Sequence, residues 1–152
     1  MKSVQEQFSD YAAFHQTAGN KLFHRLGIPI IMLSLLGMLE RVVIAVTDSW
    51  QLDLAILLIV GSGIYYLALE WKLGLAMIAV SIGMYFAGAA MPMWLLIALF
   101  IIGWIFQGIG HAVYEKRQPA FAQNLIHLLI GPLWILNDML HVVAAGENRQ
   151  PA

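Results

Sequence analysis

Four continuous apolar runs, at residues 28–46, 54–70, 73–90 and 93–110, constrain this chain more than any other feature. Each is close to the ~20 residues that span ~30 Å of hydrocarbon at ~1.5 Å of helical rise per residue. Because the runs are continuous rather than alternating, they predict helices and disfavour strands. A fifth stretch, 121–145, is less clean, for it carries His127, Gly131-Pro132, Asn137, Asp138 and His141, and the first run is interrupted by Glu40 and Arg41. The expected fold is an all-α, multi-pass membrane bundle of four clear spans plus a fifth helix that is tilted, broken or interfacial. Composition agrees, since 61% of the 152 residues are hydrophobic and 11% charged, against about 25% charged in a soluble domain. A single integral-membrane domain is expected over 1–152, with a polar segment 1–27, membrane helices over 28–145 and a tail at 146–152.

Charge and cysteine content remove whole classes of function. Eight Lys and Arg balance nine Asp and Glu, which leaves no basic face for nucleic acid. The absence of cysteine rules out disulfides, thiolate metal sites and Cys nucleophiles together. The first apolar run begins near Ile28, behind polar residues, so no cleavable signal peptide is expected. Positive residues are retained on the cytoplasmic side. With the N-terminus inside, Lys2, Lys21, Arg25, Lys72, Lys116 and Arg117 all fall there, and only Arg41 argues otherwise. Ala79, Gly83 and Ala87 repeat every four residues and predict a helix-packing stripe, as do Gly61, Ser62 and Gly63.

Five histidines stand out in a chain so short of polar groups. His15 and His24 precede the first span, His111 ends the fourth and His127 opens the last segment, so the orientation above gathers four on one side. Neutral imidazoles from different helices can hold iron, zinc, copper or nickel. His141 would lie ~21 Å beyond His127 on a continuous helix and is left outside such a site. Gln107, His111, Tyr114 and Glu115 share one helix face at i, i+3, i+4 spacing, and Asn20 pairs with His24 and Asn124 with His127 in the same way. Such neighbours orient metal-bound imidazoles, although Gln107 taken alone better suits a hydrogen bond between helices. On one straight helix His15 and His24 would point ~180° apart. Gly19 offers a bend, Gly27 with Pro29 an end to that segment, and Pro119 a start for the last helix.

The stretches Tyr11-x3-His15-x4-Asn20-x3-His24-x2-Gly27-x-Pro29 and Gln107-x2-Gly110-His111-x3-Glu115-x3-Pro119-Ala120-x3-Asn124-Leu125-x-His127, followed by Gly131-Pro132, resemble the 2-hydroxy fatty acid dioxygenase family. Its fungal members act in fatty acid α-oxidation during phytosphingosine breakdown. The resemblance implies a ferrous iron, Fe(2+), held by His15, His24, His111 and His127. It also implies a reaction in which a 2-hydroxy fatty acid and dioxygen give the acid one carbon shorter, carbon dioxide and water. One dioxygen balances that oxidation, which fits the lack of any Gly-x-Gly-x-x-Gly nucleotide fingerprint. Glu115, Tyr114 and Arg117 are the candidate catalytic residues beside the iron. Arg117 suits a substrate carboxylate through its planar fork, or else anchors a cytoplasmic helix end. Three and four histidine ligands both remain open, as does a two-histidine, one-carboxylate set using Glu115. The implied partners are a fatty-acyl substrate, dioxygen and membrane lipid, without nucleic acid, and a homo-oligomer is compatible. The host membrane would be the inner membrane of a bacterium or the endoplasmic reticulum of a eukaryote. The competing readings are a haem carrier using two histidines and a helical scaffold whose histidines only satisfy interfacial hydrogen bonds. Five histidines are too few for a membrane di-iron hydroxylase.

Overall fold

The computed structural model describes residues 2–119, 121 and 124–143; the expected tail at 146–152 and the end of the fifth stretch lie outside them. Helix α1 (Val4–Ala12) starts at a capping box. The Ser3 hydroxyl accepts from the Glu6 amide at 3.3 Å, and the Glu6 carboxylate accepts from the Ser3 amide at 2.7 Å. Its buried face, Val4, Gln7, Phe8 and Tyr11, follows helical spacing. A turn over 13–17 then leads to α2 (Ala18–Leu39), whose first amides are capped by Thr17.

Helix α2 begins ten residues before the expected first span and stops earlier. Pro29 lies inside it instead of ending a segment, and α2 runs through Gly19 without a break there. A proline costs one backbone donor, which packed membrane helices tolerate. Glu40 closes α2, and the Arg41 guanidinium donates to the carbonyls of Gly37, of Met91 at 2.5 Å and of Ala89 at 3.5 Å. The one cation that opposed the charge rule is thus a cap on two helix ends.

Residues 43–46, expected to complete the first span, form a strand. β1 (Val43–Val46) pairs antiparallel with β2 (Gln51–Asp53), a short hairpin where the sequence reading disfavoured strands. Val42, Val43, Ile44 and Val46 are β-branched or flank such residues, and β-branched side chains favour extended backbone once a helix has ended. Asp53, fully buried, joins the hairpin to α3 (Leu54–Leu69): one carboxylate oxygen accepts from the Ile56 amide at 2.9 Å and the other from the Tyr85 hydroxyl at 2.8 Å. Glu70 ends α3 and caps α4 (Trp71–Ala89), making these two an antiparallel pair. Next come α5 (Met93–Ile109), a π-helical turn over Gly110–Glu115 that continues it, and α6 (His127–Leu140).

Among the described residues, three helices are long and apolar enough to cross a membrane: α2, α4 and α5 with its π-helical extension to Glu115. α3, with 16 residues, is ~24 Å long. α2 packs most extensively on α5. They run antiparallel, because Gly27 lies against Gly103 while Asn20 lies against Gly110, and a Cβ on Gly27 would stand 2.9 Å from the Gly103 carbonyl oxygen. On α4 the expected stripe of Ala79, Gly83 and Ala87 is exposed. The packed face carries Leu73, Gly74, Met77, Ser81 and Gly88 instead, because burial there follows contact with α2 and α3 rather than residue size.

Helix α6 begins at His127, not at Pro119, and runs unbroken through Gly131-Pro132. Its direction is set by its neighbours on α2. Leu128 and Pro132 share a cavity with Met32 and Leu35, a Cβ on Gly131 would stand 3.0 Å from Ile28, and Asp138 pairs with Arg25 at 2.6 Å. As α6 advances, its partners on α2 step back toward the α2 N-terminus, so α6 ends where α2 begins. Val4, Phe8 and Tyr11 of α1 form one core with Ile130 and Leu133 of α6, Val143, and Tyr66, Leu73 and Met77 of α3 and α4. That core holds the two short helices across one end of the bundle.

Candidate metal centre

Three elements each deliver one imidazole to that end. His15 lies in the turn between α1 and α2, His24 two turns into α2, and His111 in the π-helical turn. Their ring centroids stand 4.3 Å (His15–His24), 4.7 Å (His24–His111) and 5.0 Å (His15–His111) apart, edge to face. All three are buried. The close approach of α2 and α5 makes this possible, since a Cβ on Gly110 would stand 2.5 Å from the Asn20 side-chain oxygen and 3.3 Å from His24.

Backbone hydrogen bonds set two of the tautomers. His15 Nδ1 donates to the Tyr11 carbonyl at 2.7 Å and His24 Nδ1 to the Asn20 carbonyl at 2.9 Å, each four residues back. Nε2 therefore carries the lone pair in both rings, the arrangement that prepares a histidine to bind a metal. Burial holds the His15 imidazole down at about 4, so it is neutral, its ligating form, at physiological pH. Tyr11 stacks on His15 at 4.0 Å, and burial pushes its phenol up. His15 Nε2 and His111 Nδ1 are buried with no hydrogen-bond partner among the described residues. One ligand atom from each of the three histidines lies within 4.8 Å of the others. Buried polar atoms are nearly always satisfied, and a shared cation satisfies these; the triad can hold one metal ion.

Beside the triad is a cavity of about 200 Å³, lined on its polar side by Tyr11, the three histidines, Gln107 and His127 and elsewhere by apolar side chains of α2, α5 and α6. His127 opens α6 and is buried, with its ring 6.0 Å from both Tyr11 and Phe14. It faces the same cavity but stands outside the tight group of three.

A family model described as 2-hydroxy-palmitic acid dioxygenase Mpo1-like matches residues 1–143. The chain belongs to the Mpo1-like family. It is 30% identical over 138 residues to the 2-hydroxy-palmitic acid dioxygenase MPO1 of Saccharomyces cerevisiae, covering 90% of this chain and 79% of the relative. No solved structure matches.

In this Mpo1-like chain the face expected to carry Gln107, His111, Tyr114 and Glu115 together is split. The wider π-helical turn leaves Gln107 and His111 buried and turns Tyr114 outward, over Gly19 and 5.6 Å from Phe23. Glu115 turns toward the α1–α2 turn. Its carboxylate accepts from the Gln16 amide at 3.0 Å, the Thr17 amide at 3.2 Å, the Thr17 hydroxyl at 3.1 Å and the Asn20 side-chain amide at 3.0 Å. It clamps the segment that carries His15. Asn20 meets His24 through its backbone carbonyl rather than its side chain, and the Asn124 side chain accepts from the Ile126 amide instead of reaching His127. Lys116 and Arg117 are exposed on the outer side of His111 and line a shallow depression there. Among the described residues Gln107 makes no side-chain bond between helices. Its Nε2 has no partner among the described residues, and the side chain lines the cavity beside the triad.

Proposed function

We propose that this chain is an iron(II)-dependent dioxygenase that converts a 2-hydroxy fatty acid and dioxygen to the fatty acid one carbon shorter, carbon dioxide and water. The observation that carries the reading is the convergence of three buried imidazoles beside an apolar cavity. Bound iron supplies what no side chain here can, activation of dioxygen. His15, His24 and His111 are the ligands in this reading, and three imidazoles leave positions for the substrate's oxygens and for dioxygen. His127, across the same cavity, is the acid–base group nearest the reacting carboxyl end. Gln107 directs its unpartnered amide at a substrate oxygen, which orients the headgroup. Arg117 attracts the carboxylate from the outer depression, and Glu115 positions His15.

Two features weigh against the alternatives. The imidazole rings stand too close for a porphyrin plane to pass between them. In a mere scaffold, buried nitrogens without partners would each destabilise the fold by about 1–3 kcal/mol, and here several surround one point.

The deciding experiment is anaerobic purification, metal quantification and then dioxygen-dependent turnover of 2-hydroxypalmitate. One iron per chain and release of carbon dioxide are expected; zinc alone, or no turnover of the iron-loaded protein, refutes the reading. Gln107→Leu is expected to keep its metal and lose about tenfold in kcat/KM, the worth of one hydrogen bond to substrate. Unchanged kinetics would leave Gln107 a packing residue.

We further propose that the triad end faces the cytoplasm, supported by the six of eight Lys and Arg residues that cluster there. The chain has no cysteine, so single cysteines are clean reporters. In intact cells, cysteines at residues 50 and 90 are expected to react with an impermeant reagent, and those at 21, 72 and 117 are not. Met139→Cys, 72% exposed near the end of α6, is expected to stay unlabelled like 117. Labelling of 139 alone would mean that α6 crosses the membrane.

A further inference from the structure

A second cavity of about 330 Å³ adjoins the first, lined by Leu36 of α2, Leu58, Ile59 and Ser62 of α3, Ser81 of α4 and Leu129 of α6. Met32, Leu35, Leu128 and Pro132 face both cavities, so one wall of four residues stands between them. The lining is mostly apolar; of its polar groups, the Ser62 hydroxyl donates to the Leu58 carbonyl at 2.7 Å and the Tyr66 hydroxyl to the Leu129 carbonyl at 2.8 Å. A cavity of about 150 Å³ takes up one benzene. At about 200 Å³, the metal-side cavity holds the carboxyl end of a long acyl chain and its first carbons, and the remainder must continue elsewhere.

We propose that the second cavity receives the distal part of the acyl chain, which runs from the triad past Met32, Leu35 and Leu128 into the space between α2, α3 and α4. This rests on the dioxygenase reading and adds chain-length selection to it. A tail leaving a bilayer gains little from apolar surroundings as such, because lipid is as apolar as leucine. Preference must come from how well the chain fits the walls that α2, α3, α4 and α6 present. Met32 suits the passage, since an unbranched thioether adapts to what moves past it. The residues that select length then lie in the middle of the bundle, away from the metal.

The test uses the full-length, iron-loaded protein and two 2-hydroxy acids, of eight and sixteen carbons, each with a diazirine at its terminal carbon. After irradiation the longer acid is expected to label the Leu58–Ser62 segment or Ser81, and the shorter one the Leu35 or Phe100 region. Labelling by the longer acid at Phe86 or Trp94, on the outer surface, overturns the proposal. Independently, Ser81→Phe and Ser62→Phe, which fill the second cavity, are expected to lower the ratio of kcat/KM for the longer acid over the shorter by roughly tenfold or more. An unchanged ratio in a folded variant overturns the proposal as well. If Ser81→Phe fails to fold, the half-buried Ser62 position and the label still decide. Turnover of neither acid by the unmodified protein removes the dioxygenase reading itself, whereas turnover with an unchanged ratio removes only the second cavity's role.

Discussion

Alanine at His24 or His111 is expected to abolish metal retention and turnover while leaving the helices intact. Each ring is one of three that can meet at a single ion, and two imidazoles hold a divalent cation far less well than three. Altering only the partner behind a ligand costs 10–100-fold in metal affinity, so losing a ligand should cost at least roughly a hundredfold. Metal content should fall from one per chain to near zero. Stability supplies a second readout with a distinctive sign. Without metal, His111→Ala loses a buried nitrogen lacking a partner among the described residues, so its melting temperature in chelator should match or exceed that of the unmodified protein. With metal, only the unmodified protein should gain, because an ion that binds the folded state alone stabilises it by mass action. His127→Ala should retain most of its metal and still lose turnover, which separates a ring beside the centre from one within it. Metal content at the unmodified level in both His24→Ala and His111→Ala would remove the site.

Glu115→Ala should weaken both the fold and the histidine cluster, although Glu115 lies outside the group of three histidines. Its carboxylate takes hydrogen bonds from the amides of Gln16 and Thr17, the Thr17 hydroxyl and the Asn20 side chain. Hydrogen bonds to a charged group contribute about 1.5–3 kcal/mol, and alanine leaves several donors at the α2 N-terminus without an acceptor. A loss of about 2–3 kcal/mol is expected, with the turn over 13–17 released and metal affinity down roughly tenfold because His15 is no longer held. Glu115→Gln should recover part of both, since its amide oxygen still accepts. Proteolysis within 13–17 reports the clamp directly. Equal metal loss in the Gln and Ala variants, with no added cleavage in the turn, would make Glu115 a ligand.

How far the sequence carries can be seen residue by residue. Apolar runs announce helices because twenty lipid-compatible residues have few other folds, and the three long helices and the shorter α3 lie where those runs lie. Histidines announce themselves by scarcity. The start of α2 was hidden, because residues 18–27 are polar enough to read as a surface segment and Pro29 reads as a stop. What keeps them helical is the pairing of Gly27 with Gly103 and of Asn20 with Gly110, a tertiary fact. The role of Glu115 was hidden by the assumption of 3.6 residues per turn, which a π-helical turn breaks, and no local residue type signals that turn. The stripe on α4 misled for a related reason: small residues mark where helices are able to meet, and Ala79, Gly83 and Ala87 mark a place where here they do not.

The clamp on the α1–α2 turn also dictates an order of events during synthesis. Glu115 reaches Gln16 and Thr17 across 99 and 98 residues of chain, so the N-terminal turn has nothing to dock against until α5 has emerged and inserted. Contacts of such separation close late. A ribosome-bound chain that ends before Gly110 therefore carries His15 on an unclamped turn and His24 on α2, and lacks His111. In the dioxygenase reading, the three-histidine site cannot assemble while the bundle is incomplete, and metal loading would report that the bundle has closed.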